Sequence, residues 1–128
     1  MILRNIPINM PYIQLVSWIL RIGIAATFIG HGTFAFYVNP SWVKYLETVG
    51  FSATSAVEIM PVIGVIDIMV GMIVLIKPFR IIILYAFIWT FLTALIRPLS
   101  GESIWMFVER GSNFAAPLAL YFLLYSWD

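Results

Sequence analysis

Two apolar runs, residues 54–76 and 79–97, are separated by little more than the turn LIKPFR. That arrangement constrains the fold more than any other feature of the chain. Each run is long enough to cross the hydrocarbon core of a bilayer as a helix, which takes about 20 apolar residues at about 1.5 Å of rise each. The residue before a proline is pushed out of helical geometry, so Lys77-Pro78 breaks the helix and returns the chain antiparallel to itself. A third run, 12–36, follows NIPINMP, whose two prolines delay helix entry. Between the runs 12–36 and 54–76, YVNPSWVKYLETVGFSATS is polar with interspersed aromatics, as suits a membrane–water interface.

Composition points the same way. Of 128 residues, 62% are hydrophobic and 10% charged, and mean hydropathy is +1.01. Soluble domains carry about 45–50% apolar and about 25% charged residues. Too few charges exist here to coat a water-facing surface, so the surplus apolar surface must face lipid. Seven Lys and Arg against six Asp and Glu leave a net charge of +1, which is no footprint for nucleic acid. The absence of cysteine excludes disulfide staples, thiolate metal sites and dithiol redox chemistry. The opening MILRNIPINMPYIQ lacks the form of a secretory signal: the apolar run behind it is too long, contains Arg21 and is followed by no small-residue cleavage pattern. The first helix is therefore expected to be retained.

The last segment, GESIWMFVERGSNFAAPLALYFLLYSWD, reads two ways. It is one helix kinked at Pro117, or an interfacial helix over 102–110 followed by a short span. Residues 113–127 cover only about 22 Å against a core of about 30 Å. A break near Gly111 is expected, with the polar part dipping into the protein rather than touching lipid. The expected fold is all-α: a single transmembrane domain, 1–128, built as an up-and-down bundle of four transmembrane helices. The spans cover about 12–36, 54–76, 79–97 and 104–127, with a short interfacial or kinked segment before the last. Arg4, Lys77 and Arg80 on one side balance Lys44, Arg97 and Arg110 on the other. If Arg97 and Arg110 are paired inside the protein they stop counting, which leaves both termini cytoplasmic.

Charges inside the apolar runs carry the functional information. An Arg or Asp at the centre of a span costs about 2.5–3.5 kcal/mol on insertion scales, so each needs a partner or a polar cavity. Residues of antiparallel neighbours lie at equal depth when they are equally far along the chain from the connecting loop. Arg21 then faces Asp67 and His31 faces Glu58, while across the next turn Arg97 comes level with Glu58 and Trp89 with Asp67. Two polar layers are expected, roughly 15 Å apart. One is a structural ion pair of Arg21 with Asp67, beside Trp89 and Thr90. The other holds His31, Glu58 and Arg97, closed by Glu109, Arg110 and Asn113.

Gly30 and Gly32 would let a neighbouring helix approach His31 closely. Glu58 and Asp67, however, are nine residues apart and fall on opposite sides of a straight helix. Either Pro61 ends the regular helix and re-aims Glu58, or only one pair forms. Asp67 is the inward-facing residue of the two, since Gly64 and Gly71 flank it on a small-residue face. Trp42, Tyr45, Trp105, Tyr125 and Trp127 read as interfacial anchors.

Arg21 followed late in the span by His31-Gly32, the stretch VEIMPVIGVIDIMVGMIVL, and the ending RPLSGESIWMFVERGSNFAAPLALYF together resemble the DoxX family of small four-helix membrane proteins. The resemblance covers most of the chain. It implies a bacterial or archaeal cell (inner) membrane and an association with respiratory or sulfur-compound oxidation, in which some members are subunits of quinone-linked oxidoreductases.

Three functions remain open. The first is an accessory or scaffold subunit without catalytic activity of its own, held in a larger membrane complex or homo-oligomer surrounded by lipid. The second is a quinone-linked subunit with its headgroup site at His31, where a histidine beside a carboxylate can bind and protonate a quinone carbonyl. The third is a small-molecule or lipid carrier. One histidine cannot supply two haem ligands and no ligand cluster suits a metal, so neither haem nor metal is expected. A quinone headgroup site in a lipid-facing cavity would favour the second function, and a filled layer with every charge paired the first.

Overall fold

A computed structural model describes residues 10–125. Arg4, Trp127 and the outer end of the last expected span lie outside the described residues. Helices α1 (Met10–Phe36), α2 (Val43–Thr48), α3 (Ala53–Ile76), α4 (Arg80–Leu99), α5 (Trp105–Val108) and α6 (Gly111–Tyr125) follow in order, with a 3-10 turn at Pro40–Trp42. Among the described residues there is no strand. α1, α3 and α4 are long and apolar enough to cross a membrane, close to the bounds expected from the sequence.

Local chemistry sets the boundaries. α1 stops where Val38 turns to a left-handed φ of 59°, and Asn39 then caps the 3-10 turn by accepting from the Ser41 N–H at 3.0 Å. Gly50, at φ 109°, supplies the left-handed turn after α2. The Ser52 hydroxyl accepts from the Ser55 N–H at 3.1 Å to start α3. Lys77 leaves helical geometry ahead of Pro78, as the pre-proline restriction requires. Pro61, in contrast, does not end α3, which runs unbroken through it. Asp67 is buried, as expected, and Glu58 is exposed on the far side of the unbroken helix, so Pro61 does not re-aim it.

α1 and α3 pack along most of their length, and α6 lies against both α1 and α4. The closest approach is glycine on glycine. A Cβ built on Gly64 would sit 2.5 Å from the Gly32 carbonyl oxygen, so only two glycines permit this crossing. Gly30 takes no part, having open space where a Cβ would lie. α3 and α4, consecutive in sequence, meet only sparingly. Around the bundle the order is α3, α1, α6, α4, which leaves α3 and α4 diverging from their shared turn. Ile24, Phe28, Val70, Val74, Ile83 and Leu120 fill the half of the bundle nearer that turn.

The last segment is two helices separated at Glu109-Arg110 rather than one helix kinked at Pro117. Phe107 of α5 and Phe114 of α6 both pack on Phe91, with ring centroids 5.7 and 5.3 Å away. Phe91 lies eight residues before the end of α4, which is about 12 Å inside it. The chain after α4 therefore dips back beside the bundle before α6 begins. α6 then returns to the α3–α4 turn, where the Tyr125 hydroxyl donates to the Pro78 carbonyl at 2.7 Å.

Candidate functional site

The divergence of α3 and α4 leaves a cavity of about 360 Å³ between them and α1, within the range of about 300–1,000 Å³ usual for small-molecule sites. Phe28 and His31 of α1, Met60, Ile63 and Asp67 of α3, and the face of α4 from Trp89 to Leu99 form its walls. Trp42 of the 3-10 turn and Tyr45 and Leu46 of α2 roof it, and Arg110 and Asn113 reach it from the re-entering segment. Apolar atoms dominate the lining. Its rim includes Leu92 and Leu99, which are 48% and 64% exposed on α4. The cavity thus opens sideways onto an apolar helix face.

Its two ends differ in charge. Trp89 and Arg97 mark them, eight residues apart on one helix, or about 12 Å. At the inner end Asp67 is 6% exposed, and its Oδ1 has no hydrogen-bond partner among the described residues. The Trp89 indole lies beside the same carboxyl. Thr90 is no help to it, because its hydroxyl donates to the Ala86 carbonyl at 2.7 Å.

The expected ion pair between Arg21 and Asp67 is absent. Arg21 instead donates to the carbonyls of Val74, at 3.3 Å, of Leu75, and of Ile76, at 3.1 Å. Those are the free carbonyls at the C-terminus of α3, where the helix dipole also favours a cation. Trp18 supports the guanidinium from its face, 3.8 Å from the ring centroid.

At the outer end Arg97 is 8% exposed. Its Nη1 donates to the Tyr45 hydroxyl at 2.9 Å, whereas its Nε has no partner among the described residues. Tyr45 donates onward to Glu102, whose Oε2 is 3.1 Å from Lys44 Nζ. This chain of contacts ties α2 to the end of α4. The hydrogen bond from Tyr45, reinforced by Lys44 and opposed by partial burial, holds the Glu102 carboxyl below the usual carboxylate range. Burial, followed by the bond to Glu102, pushes the Tyr45 phenol above its ordinary value. His31 stands edge-on to Trp42 with centroids 5.8 Å apart. Arg110 donates to the Met106 carbonyl at 2.9 Å and pairs with Glu109 at 2.8 Å, capping the end of α5.

Of the residues grouped from sequence, His31, Arg97, Arg110 and Asn113 therefore line one cavity. Glu58 and Glu109 do not: both are exposed, Glu58 because the unbroken α3 turns it outward. The place expected for Glu58 beside His31 is taken by Trp42. Trp42, Tyr45 and Glu102 were not legible as site residues. Their one signal was the i, i+3 spacing of Trp42 and Tyr45, which sets both on one face of a short helix. Compared with known proteins, the chain matches no family model, no curated protein and no solved structure.

Proposed function

We propose that this multi-pass helical membrane protein takes up a lipid-borne molecule with a quinone-type headgroup in the cavity between α1, α3 and α4, as a binding subunit with no chemistry of its own. The observation that carries the reading is the Nε of Arg97, without a partner among the described residues, a buried donor in an apolar cavity that opens toward the lipid-facing side of α4. A quinone carbonyl is an acceptor without charge and satisfies such a donor. His31 and Asn113 supply further polar atoms at the same end, and an apolar tail leaves past Leu92 and Leu99 into the acyl chains. The resemblance to DoxX proteins supports the same ligand class and a place beside a respiratory or redox complex in a bacterial or archaeal cell membrane. A purely scaffolding role ranks second, because it calls for a filled layer of paired charges. A carrier role ranks third, since it needs access from both sides.

In this reading α6 is the fourth crossing. Its 15 residues, about 22 Å long, suffice because the segment before it has already entered the bundle. Arg21, Lys77 and Arg80 gather at the α3–α4 turn while Arg97 is buried, which favours that turn and both termini on the cytoplasmic side. The test is a titration of the chain in phosphatidylcholine nanodiscs with decylubiquinone, read by tryptophan fluorescence, since Trp42 and Trp89 line the cavity. Saturable quenching is expected, with affinity lowered about tenfold or more in Arg97→Gln. Quenching that rises linearly, with no saturation, overturns the proposal.

A further inference from the structure

The quinone reading uses the outer end of the cavity and leaves the inner end unexplained. Asp67 is a carboxyl group with 6% of its surface exposed, in the middle of a helix that crosses the membrane, and its Oδ1 meets no donor among the described residues. Removing a carboxylate from water without a counter-charge is costly, so such groups are paired, hold a ligand or take up a proton. None of the three arginines of the neighbouring spans supplies the pairing: Arg80, at the start of α4, lies over the Tyr125 ring, 5.4 Å from its centroid. Arg21 caps α3 and Arg97 bonds Tyr45, about 12 Å along α4. A quinone carbonyl cannot pair the ionised form either, because carbonyl and carboxylate oxygens are both acceptors.

The surroundings of Asp67 have the chemistry of a cation site. Trp89 and Phe28 line the cavity beside it, and Tyr85 stacks on Trp89 with the rings 7° from parallel and 6.3 Å apart. Aromatic faces attract ammonium groups through the ring quadrupole, more strongly where water is excluded. Met60 and Ile63 add apolar wall for the carbon skeleton. We propose that the inner end of the cavity binds a lipophilic ammonium ion, with its N–H donated to Asp67 Oδ1 and its charge set against the Trp89 and Phe28 rings. An uncharged amine arriving through lipid takes the proton of the Asp67 carboxyl. A protonated amine meets the carboxylate. Either way the complex holds one proton, on nitrogen.

This site does not depend on the quinone reading, and one set of measurements separates them. Phenethylamine and its uncharged isostere propylbenzene are titrated into nanodiscs of the full chain, with partition into empty nanodiscs subtracted. The wild-type chain is expected to bind the amine about tenfold or more tightly than propylbenzene. Asp67→Asn is expected to bring the two to within about twofold, and Arg97→Gln to keep the preference while weakening decylubiquinone. Equal binding of amine and hydrocarbon by the wild-type chain overturns the proposal without recourse to any variant. A preference that survives in folded Asp67→Asn does so too.

Discussion

Gly32 and Gly64 leave no room for a methyl group between α1 and α3: a Cβ on Gly32 would lie 2.7 Å from the Gly64 carbonyl oxygen, and one on Gly64 2.5 Å from the Phe36 nitrogen. Both obstacles are backbone, which cannot step aside as a side chain can. Gly64→Ala is therefore expected to destabilise the protein by about 1–3 kcal/mol, the range for overpacking. Gly30→Ala, with open space around its Cβ, should be neutral or stabilise by up to about 1 kcal/mol through helix propensity. Thermal unfolding of the two variants in detergent checks the contrast. Arg21 makes a second case. Its bonds go to α3 carbonyls, so Arg21→Met should cost about 1.5–3 kcal/mol and be additive with Asp67→Leu to within about 0.5 kcal/mol. A double-mutant cycle with a larger coupling would show that the two side chains interact after all. Neither the depth of Arg21 nor its partner was legible in the sequence: with Gly32 against Gly64, Arg21 comes level with the end of α3 rather than with Asp67, and a backbone carbonyl has no letter of its own.

Helix α2 is short, and what holds it over the cavity is the contact chain Arg97–Tyr45–Glu102–Lys44. Tyr45→Phe removes the hydroxyl shared by Arg97 and Glu102 while keeping the ring. Faster hydrogen exchange over residues 43–48 is expected, with α1 and α3 unchanged. Glu102 gives the same link a pH dependence. Its carboxyl is held below its ordinary value of 4.5, so the stabilisation is fully present above that value and is lost as pH falls through the lowered one. With Lys44 half exposed, the link is worth about 0.2–1 kcal/mol. Wild-type and Glu102→Gln should differ in stability by that margin near about pH 7, read by thermal unfolding, and converge as the pH falls below the lowered value. At this scale the spans were readable from apolar length and the turn from Lys77-Pro78. The orientation of Glu58 was not, because it depended on whether Pro61 breaks α3, and tertiary packing carries the helix through.

The molecule as a whole is a bundle filled at one end and open at the other. The cluster of Ile24, Val74, Ile83 and Leu120 closes the half near the α3–α4 turn, while the other half encloses the cavity. A bundle built for stability alone would close both. Filling the open half should stabilise the fold at the expense of binding. Ile63→Phe, which adds volume from the α3 wall, is expected to leave Tm unchanged or raise it while abolishing saturable binding of decylubiquinone and phenethylamine. A folded Ile63→Phe protein that binds both as the wild-type chain does would separate the cavity from function.

Membrane character, the three long spans, the sharp turn at Pro78 and the inward face of Asp67 follow from the order of residues alone. Each depends on local quantities: apolar length against bilayer thickness, the backbone restriction before proline, and the spacing of glycines around one acid. Tertiary structure alone decided that α3 lies on α1 and away from α4, and with it which charges meet and where the cavity opens. Helix neighbours are chosen by surface shape, here two glycines that let α1 and α3 touch, and that fit is made between residues 32 positions apart in the chain.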